Sequence, residues 1–222
     1  MAEYLDLQVE GETLRLLPQR AVYWPRQQAL LLADLHLGKA AHFRRHGIPL
    51  PAGAIERDLA QLDALLRACP EAEQLIVLGD LFHSAHNAEW EQFGAWLAAQ
   101  PHTCTLIRGN HDLLEPARYA ALGIGVLEAW DLGPFRLLHE APAEPGEQEP
   151  YTLSGHVHPG ILLEGLGRQR LRLPCFWFGA RGGVLPAFGA LTGLARILPA
   201  PGDCIAAAAD GQVMLVQRGR TV

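Results

Sequence analysis

Histidine, aspartate and asparagine recur along the chain in four short clusters. They are Asp34-Leu35-His36, Gly79-Asp80, Gly109-Asn110-His111-Asp112 and Gly155-His156-Val157-His158, with a lone His139 ahead of the last. Imidazole nitrogens and carboxylate or amide oxygens are ligands for hard to borderline divalent cations. Asp34 and His36 are two residues apart, so at the end of a strand their side chains point the same way and can converge on one ion. Asp80 carries two oxygens with several lone pairs, enough to bridge two cations. His156 and His158 form a common chelating pair, and His111 can act as an acid beside the Asn110 amide oxygen. No thiolate ligand is apparent. Each cluster alone has a plainer reading: a strand-to-loop Asp, a Gly-Asp turn, a polar turn, two surface histidines, and a structural His139. In order, and each at a strand end, they together define a dinuclear metal site.

The elements that must position these residues follow from hydropathy patterning. Residues 29–33 form a continuous apolar run, as expected for a strand covered on both faces. Gln74–Leu78 and Thr103–Ile107 read as further strands. Apolar residues at helical spacing mark helices over residues 53–69 and 88–99, the latter with Trp90, Phe93, Trp96 and Leu97 on one face. The β-α-β-α-β order predicts a parallel or mixed sheet with crossover helices. Residues 5–9 and 13–17 alternate as an opening pair of strands. Short apolar segments at 125–127, 135–138, 151–153, 161–163, 175–178, 204–207 and 213–216 predict a second, more antiparallel sheet. Residues 141–150 read as a surface loop and Pro199 to Gly202 as a turn. The expected architecture is α/β: two sheets packed together with helices outside, in a single domain over residues 1–222. Open α/β sheets place ligands at the carboxyl edge of the strands, where every cluster falls.

Composition narrows the function. A formal net charge of −6 argues against a strongly cationic, nucleic-acid-wrapping surface, although two bound divalent cations would offset four of those charges. The opening residues show no basic segment followed by an apolar one, so no cleaved signal peptide is expected. No apolar run reaches membrane-span length, and no membrane association is expected. Cys69, Cys104, Cys175 and Cys204 are scattered without a C-x-x-C pair, which reads as reduced, buried thiols in a cytoplasmic protein.

In order and spacing the clusters resemble the calcineurin-like metallophosphoesterases, over about residues 29–160. Within that family Gly79-Asp80-Leu81-Phe82-His83 resembles the SbcD-type nuclease branch, because phosphatase-like members usually carry Asp, often followed by Arg, where His83 and Ser84 stand. Residues 33–51 resemble the small bacterial ligase-associated DNA-damage-response metallophosphoesterases (PdeM type). The resemblance implies a four-layer sandwich of two mixed sheets flanked by helices. It implies that Asp34, His36 and His158 hold one metal, that Asn110, His139 and His156 hold another, and that Asp80 bridges them. His111 would protonate the leaving oxygen. His83 would contact phosphate, and Asp112, adjacent to His111, is a further catalytic candidate. Family precedent favours manganese, with iron or zinc compatible. Two such cations about 3.5–4 Å apart make water a nucleophile near neutral pH and offset phosphoryl charge.

Substrate contacts are less legible. Lys39 and His42-Phe43-Arg44-Arg45-His46 put basic and aromatic residues side by side, suited to a phosphate chain and a stacked base, or equally to a solvated loop or short helix. Arg168, Arg170 and Arg172 alternate along one strand face. Trp24 and Trp130 read as core or interface residues and not as stacking platforms. Three functions stand: a diester-cleaving enzyme acting on DNA in repair, with repair proteins as partners; a small-molecule phosphodiesterase or nucleotide pyrophosphohydrolase; and a scaffold without catalysis. Retention of all seven candidate ligands argues against the scaffold. Oligomeric state is left open, a homodimer included.

Overall fold

The computed structural model describes residues 4–45, 47, 53–83, 88–143, 146, 148–165, 167, 169–217 and 219, apart from the side chains of residues 41, 42, 45 and 88. The chain opens with β1 (Leu5–Val9) and β2 (Glu12–Leu17), antiparallel across a turn in which Glu10 and Gly11 both take positive φ, the conformation that matches strand twist in a two-residue hairpin. β3 (Ala21–Trp24) and β4 (Ala29–Leu32) extend the antiparallel run. α1 (Lys39–Arg45) and α2 (Ala54–Ala68) precede β5 (Gln74–Leu78), and α3 (Ala88–Ala98) precedes β6 (Thr103–Ile107). β4, β5 and β6 are mutually parallel, as the β-α-β-α-β reading predicts.

One strand falls in a different sheet from the one expected. After the short helix α4 (Pro116–Ala120), β7 (Ile124–Leu127) pairs parallel with β6, and so completes the first sheet. A four-residue apolar run carries no information about its partner. The α4 crossover returns the chain beside the strand it left.

The second sheet contains β8 (Trp130–Leu132), β9 (Phe135–Leu137), β10 (Tyr151–Ser154), β11 (Pro159–Glu164), β12 (Arg170–Phe178), β13 (Gly182–Val184), β14 (Ala195–Arg196), β15 (Cys204–Ala209) and β16 (Gln212–Gln217). It is mixed: β10 lies parallel to both β9 and β13, while β12 runs antiparallel to β11, β13 and β15. The Gly- and aromatic-rich stretch after residue 174 supplies core: Cys175, Phe176, Phe178, Leu185 and Phe188 are all buried.

One apolar cluster lies between the sheets and joins Leu14, Leu16, Val22, Trp24, Leu31, Ile76 and Ile107 to Phe135, Leu137, Leu153, Phe176 and Phe178. A second lies on the other face of the first sheet, covered by α2, α3 and α4 through Leu62, Leu65, Phe93, Leu97 and Tyr119. On the outer face of the second sheet, a small cluster of Cys175, Ile197 and Ile205 receives no helix among the described residues. The sandwich of two mixed sheets is therefore as expected, with its helical cover on one side. All four cysteines are buried and none is in a disulfide. Among the described residues no helix is long and apolar enough to cross a membrane.

Trp24 marks the centre of the inter-sheet core. It is fully buried, meets the Phe135 ring edge-on at 4.9 Å, and donates Nε1–H to Glu12 Oε2 at 2.8 Å. Trp24→Ala should cost about 3–5 kcal/mol, read as a lowered midpoint in urea unfolding. A loss under about 1 kcal/mol would mean that this ring does not hold the sheets together.

Candidate metal centre

The carboxyl ends of β4, β5 and β6 and those of β9 and β10 open onto one patch. Loop-to-loop backbone bonds hold them there: Asp34 N–H to Gly79 O at 3.1 Å, His36 N–H to Asp80 O at 2.9 Å, and Gly155 N–H to His139 O at 3.0 Å. Asp34, His36, Asp80, His156 and His158 all take positive φ, between 48° and 66°. Non-glycine residues rarely do so, and such strain persists only where surrounding contacts dictate it. Here the left-handed kinks accompany the alternate residues Asp34 and His36, and His156 and His158, whose side chains gather at the patch.

Among the described residues three groups of potential ligands result, each with its donor atoms within 4.8 Å of one another: Asp34, His36 and His158; Asp80, His139 and His156; and His36, His83 and His111. Asp80 lies between the first two. Its Oδ2 is 3.6 Å from His36 Nε2, and its Oδ1 is 3.6 Å from His139 Nε2. His158 Nε2 stands 3.3 Å from Asp34 Oδ1. Asn110 Oδ1 approaches His139 Nε2 at 2.9 Å and His156 Nδ1 at 3.2 Å, and the two imidazole nitrogens lie 3.1 Å apart. All seven ligands expected from sequence are thus in one place.

The donor chemistry fits divalent cations. His139 Nδ1 sits 2.9 Å from the Leu78 carbonyl, which only accepts, so the proton belongs on Nδ1 and the Nε2 lone pair faces the patch. A histidine oriented by a backbone carbonyl through its remote nitrogen is the usual support of a metal ligand. Asp34 Oδ1 is buried with no hydrogen-bond partner among the described residues. Burial, reinforced by Lys39 and the neighbouring imidazoles, pushes His36 down to about 2, which keeps it neutral and able to ligate.

Asp112 points away from the imidazoles. Its buried carboxylate accepts the N–H groups of Asp80 (2.8 Å) and Gly109 (2.9 Å) through Oδ2 and that of Leu81 (3.2 Å) through Oδ1. Burial raises it to about 6 despite those bonds, with Asp80 adding to the rise. His111 is held by its N–H to Asp80 Oδ1 at 2.9 Å, and its ring stacks on His83 at 5.1 Å and 24°.

Among the residues read as substrate contacts, Lys39 lines a cleft beside His36, and Arg44 is exposed on α1. Arg45 lies on α1, but its side chain falls outside the described residues, as does Arg168. Phe43 places its ring 6.4 Å from that of His83. Arg170 pairs with Glu164 at 3.1 Å and Arg172 bonds the Leu194 carbonyl at 3.3 Å.

Sequence reasoning missed the packing behind the ligands. Gly189 donates to the Asp34 carbonyl at 3.2 Å, Phe188 to that of Ala33 at 2.8 Å, and Ala187 bridges Ala33. A Cβ on Gly189 would strike the Leu35 carbonyl, one on Gly109 would strike Asp80 Oδ1, and one on Gly79 would strike the His139 ring. Gly79 and Gly109 are visible within their motifs. Gly189 stands in no motif, and only the long-range pairing exposes it.

This centre, at the strand ends of a two-sheet α/β sandwich, defines a metal-dependent phosphoester hydrolase. Residues 28–143 match the calcineurin-like phosphoesterase family, and the chain belongs to it. The crystal structure of the Pseudomonas putida nuclease MPE superposes with a TM-score of 0.81 at 39% identity, covering 96% of this chain and 100% of that one. No curated protein matches the chain.

The depressed His36 has a consequence for the metal-free protein. Its folded value lies below the ordinary 6.5, so as pH falls through that value the unfolded chain takes up a proton that the folded chain refuses, and stability is lost. Between about pH 7.5 and about pH 5.5, chelator-treated wild type should lose about 1.4 kcal/mol more than His36→Gln, as measured by urea unfolding. Equal losses would show that His36 titrates normally in the fold.

Proposed function

We propose that the chain is a dinuclear phosphodiesterase in which Asp34, His36 and His158 hold one cation, Asn110, His139 and His156 hold the other, and Asp80 bridges them. The observation that carries this is the Asp80 carboxylate, with one oxygen toward a histidine of each group at the same 3.6 Å. Bound divalent cations supply an acidified water and offset charge on the phosphoryl oxygens.

The remaining work falls to the chain's own groups. Asp80 fixes the separation of the two ligand groups. His111 protonates the leaving oxygen, its backbone pinned to Asp80 and its ring fixed against His83. His83 therefore takes the orienting part that an Asp plays in phosphatase-like members, and also faces the substrate phosphate. Asp112 acts as a positioning residue, holding the Asp80 and Gly109 turns together through their amides. Lys39, with Arg44 and Arg45 on α1, contacts the flanking phosphates.

A nucleic acid strand is the substrate favoured, supported by His83 in place of Asp, by the basic and aromatic α1, and by the nuclease named in the structural match. We read manganese as the working metal, DNA repair as the setting with repair proteins as partners, the cytoplasm as the compartment and residues 1–222 as one catalytic domain. The acidic net charge supports a second reading, hydrolysis of a small nucleotide diester or pyrophosphate.

Chelator-stripped protein with manganese restored should cleave a generic phosphodiester in preference to the matching monoester. Asp80→Asn and His111→Ala should each lose at least about a hundredfold in turnover while keeping the wild-type circular dichroism. Activity unchanged in both variants would overturn the assignment, and monoester preference would overturn the diester reading. Single-stranded DNA beside a dinucleotide then separates the two substrate classes.

A further inference from the structure

The third ligand group shares His36 with the dinuclear centre, and its other two members, His83 and His111, are not among that centre's ligands. His36, His83 and His111 bring donor nitrogens within 4.8 Å of one another, with ring centroids 5.5 Å apart for His36 and His83 and 5.1 Å apart for both His36–His111 and His83–His111. No carboxylate belongs to this group. His36 is buried, and its Nδ1 has no hydrogen-bond partner among the described residues. His83 and His111 are partly exposed and face it.

We propose that His36, His83 and His111 form an inhibitory trap for a soft divalent cation such as Zn2+, which in occupying it takes His36 from the first ligand group. This rests on the reading of that group as a metal position. An all-imidazole shell suits zinc, nickel or copper over manganese, which prefers oxygen ligands, and zinc also binds the more tightly in the general affinity order. Two nitrogens at about 2.0–2.1 Å from a tetrahedral ion lie roughly 3.4 Å apart, a closure that the partly exposed His83 and His111 reach by side-chain rotation. A neutral imidazole carries a lone pair on only one nitrogen, so His36 serves one ion at a time. Zinc in the trap therefore releases a manganese ion, and it also ties up the ring proposed to deliver the proton.

The test is calorimetric titration of Zn2+ into manganese-saturated wild type and His83→Gln, with free Mn2+ followed by electron paramagnetic resonance. Wild type should bind zinc with release of one manganese. His83→Gln should bind zinc at least about tenfold more weakly with unchanged manganese affinity, which also shows that the variant is folded. Equal zinc affinity in the two proteins would overturn the trap, and so would a parallel loss of both cations' affinity, since His83 would then serve the centre as a whole. Wild type that binds zinc in a His83-dependent way but never binds manganese would leave the trap standing and sink the dinuclear reading instead.

Discussion

The distance between two loops is set by one buried carboxylate. Asp112 accepts backbone N–H groups from the turn after β5 and from the turn after β6 at the same time. It is buried at real electrostatic cost, seen in its rise to about 6, and a carboxylate in that position is retained because hydrogen bonds from both sides satisfy it. Asp80, which stands between the two ligand groups, is fixed by that clamp at its own backbone nitrogen. Asp80 in turn receives the His111 N–H. The polar architecture of the centre is thus a chain of dependencies that runs inward from Asp112.

Around that chain the centre stores strain. Five of its candidate ligands adopt left-handed backbone conformations, and the lone pairs of Asn110 Oδ1 and His139 Nε2 face each other at 2.9 Å, while Asp34 Oδ1 is buried with no hydrogen-bond partner among the described residues. Each is unfavourable by itself. A divalent cation between the lone pairs turns repulsion into coordination, and the surrounding sheet packing keeps the kinked backbone from relaxing. The metal-free centre is accordingly preorganised but poorly satisfied, the condition in which a site binds cations with little rearrangement.

The histidine-rich face gives the centre a second character. The His111 ring stacks on that of His83 at 5.1 Å, and both face the His36 ring. His36, His83 and His111 thus form a face lined by imidazoles next to the first ligand group. Oxygen-rich positions and nitrogen-rich positions thus lie within one ring of each other, and the identity of the cation decides which set it prefers.

Much of this was legible in the chain itself. Every candidate ligand except the lone His139 stands in a short motif after a strand, and His139 also follows one, because strand ends are where a buried backbone must turn and where polar side chains can gather. The β4–β6 order and the two long helices followed from periodicity for the same reason. What the chain alone could not say concerns contacts between distant segments. β7 joined the first sheet, since four apolar residues do not encode a partner. Which sheet α2, α3 and α4 cover was also undecided, since a helix's apolar stripe names no sheet. Gly189 proved to support Asp34, and Asp112 turned from its neighbour His111 to the backbone amides of another loop. Local sequence sets which residues can ligate and roughly where each strand ends. Only the tertiary structure, through contacts such as the His156 N–H donating to Asp34 Oδ2 across 122 residues, decides which oxygen faces which nitrogen.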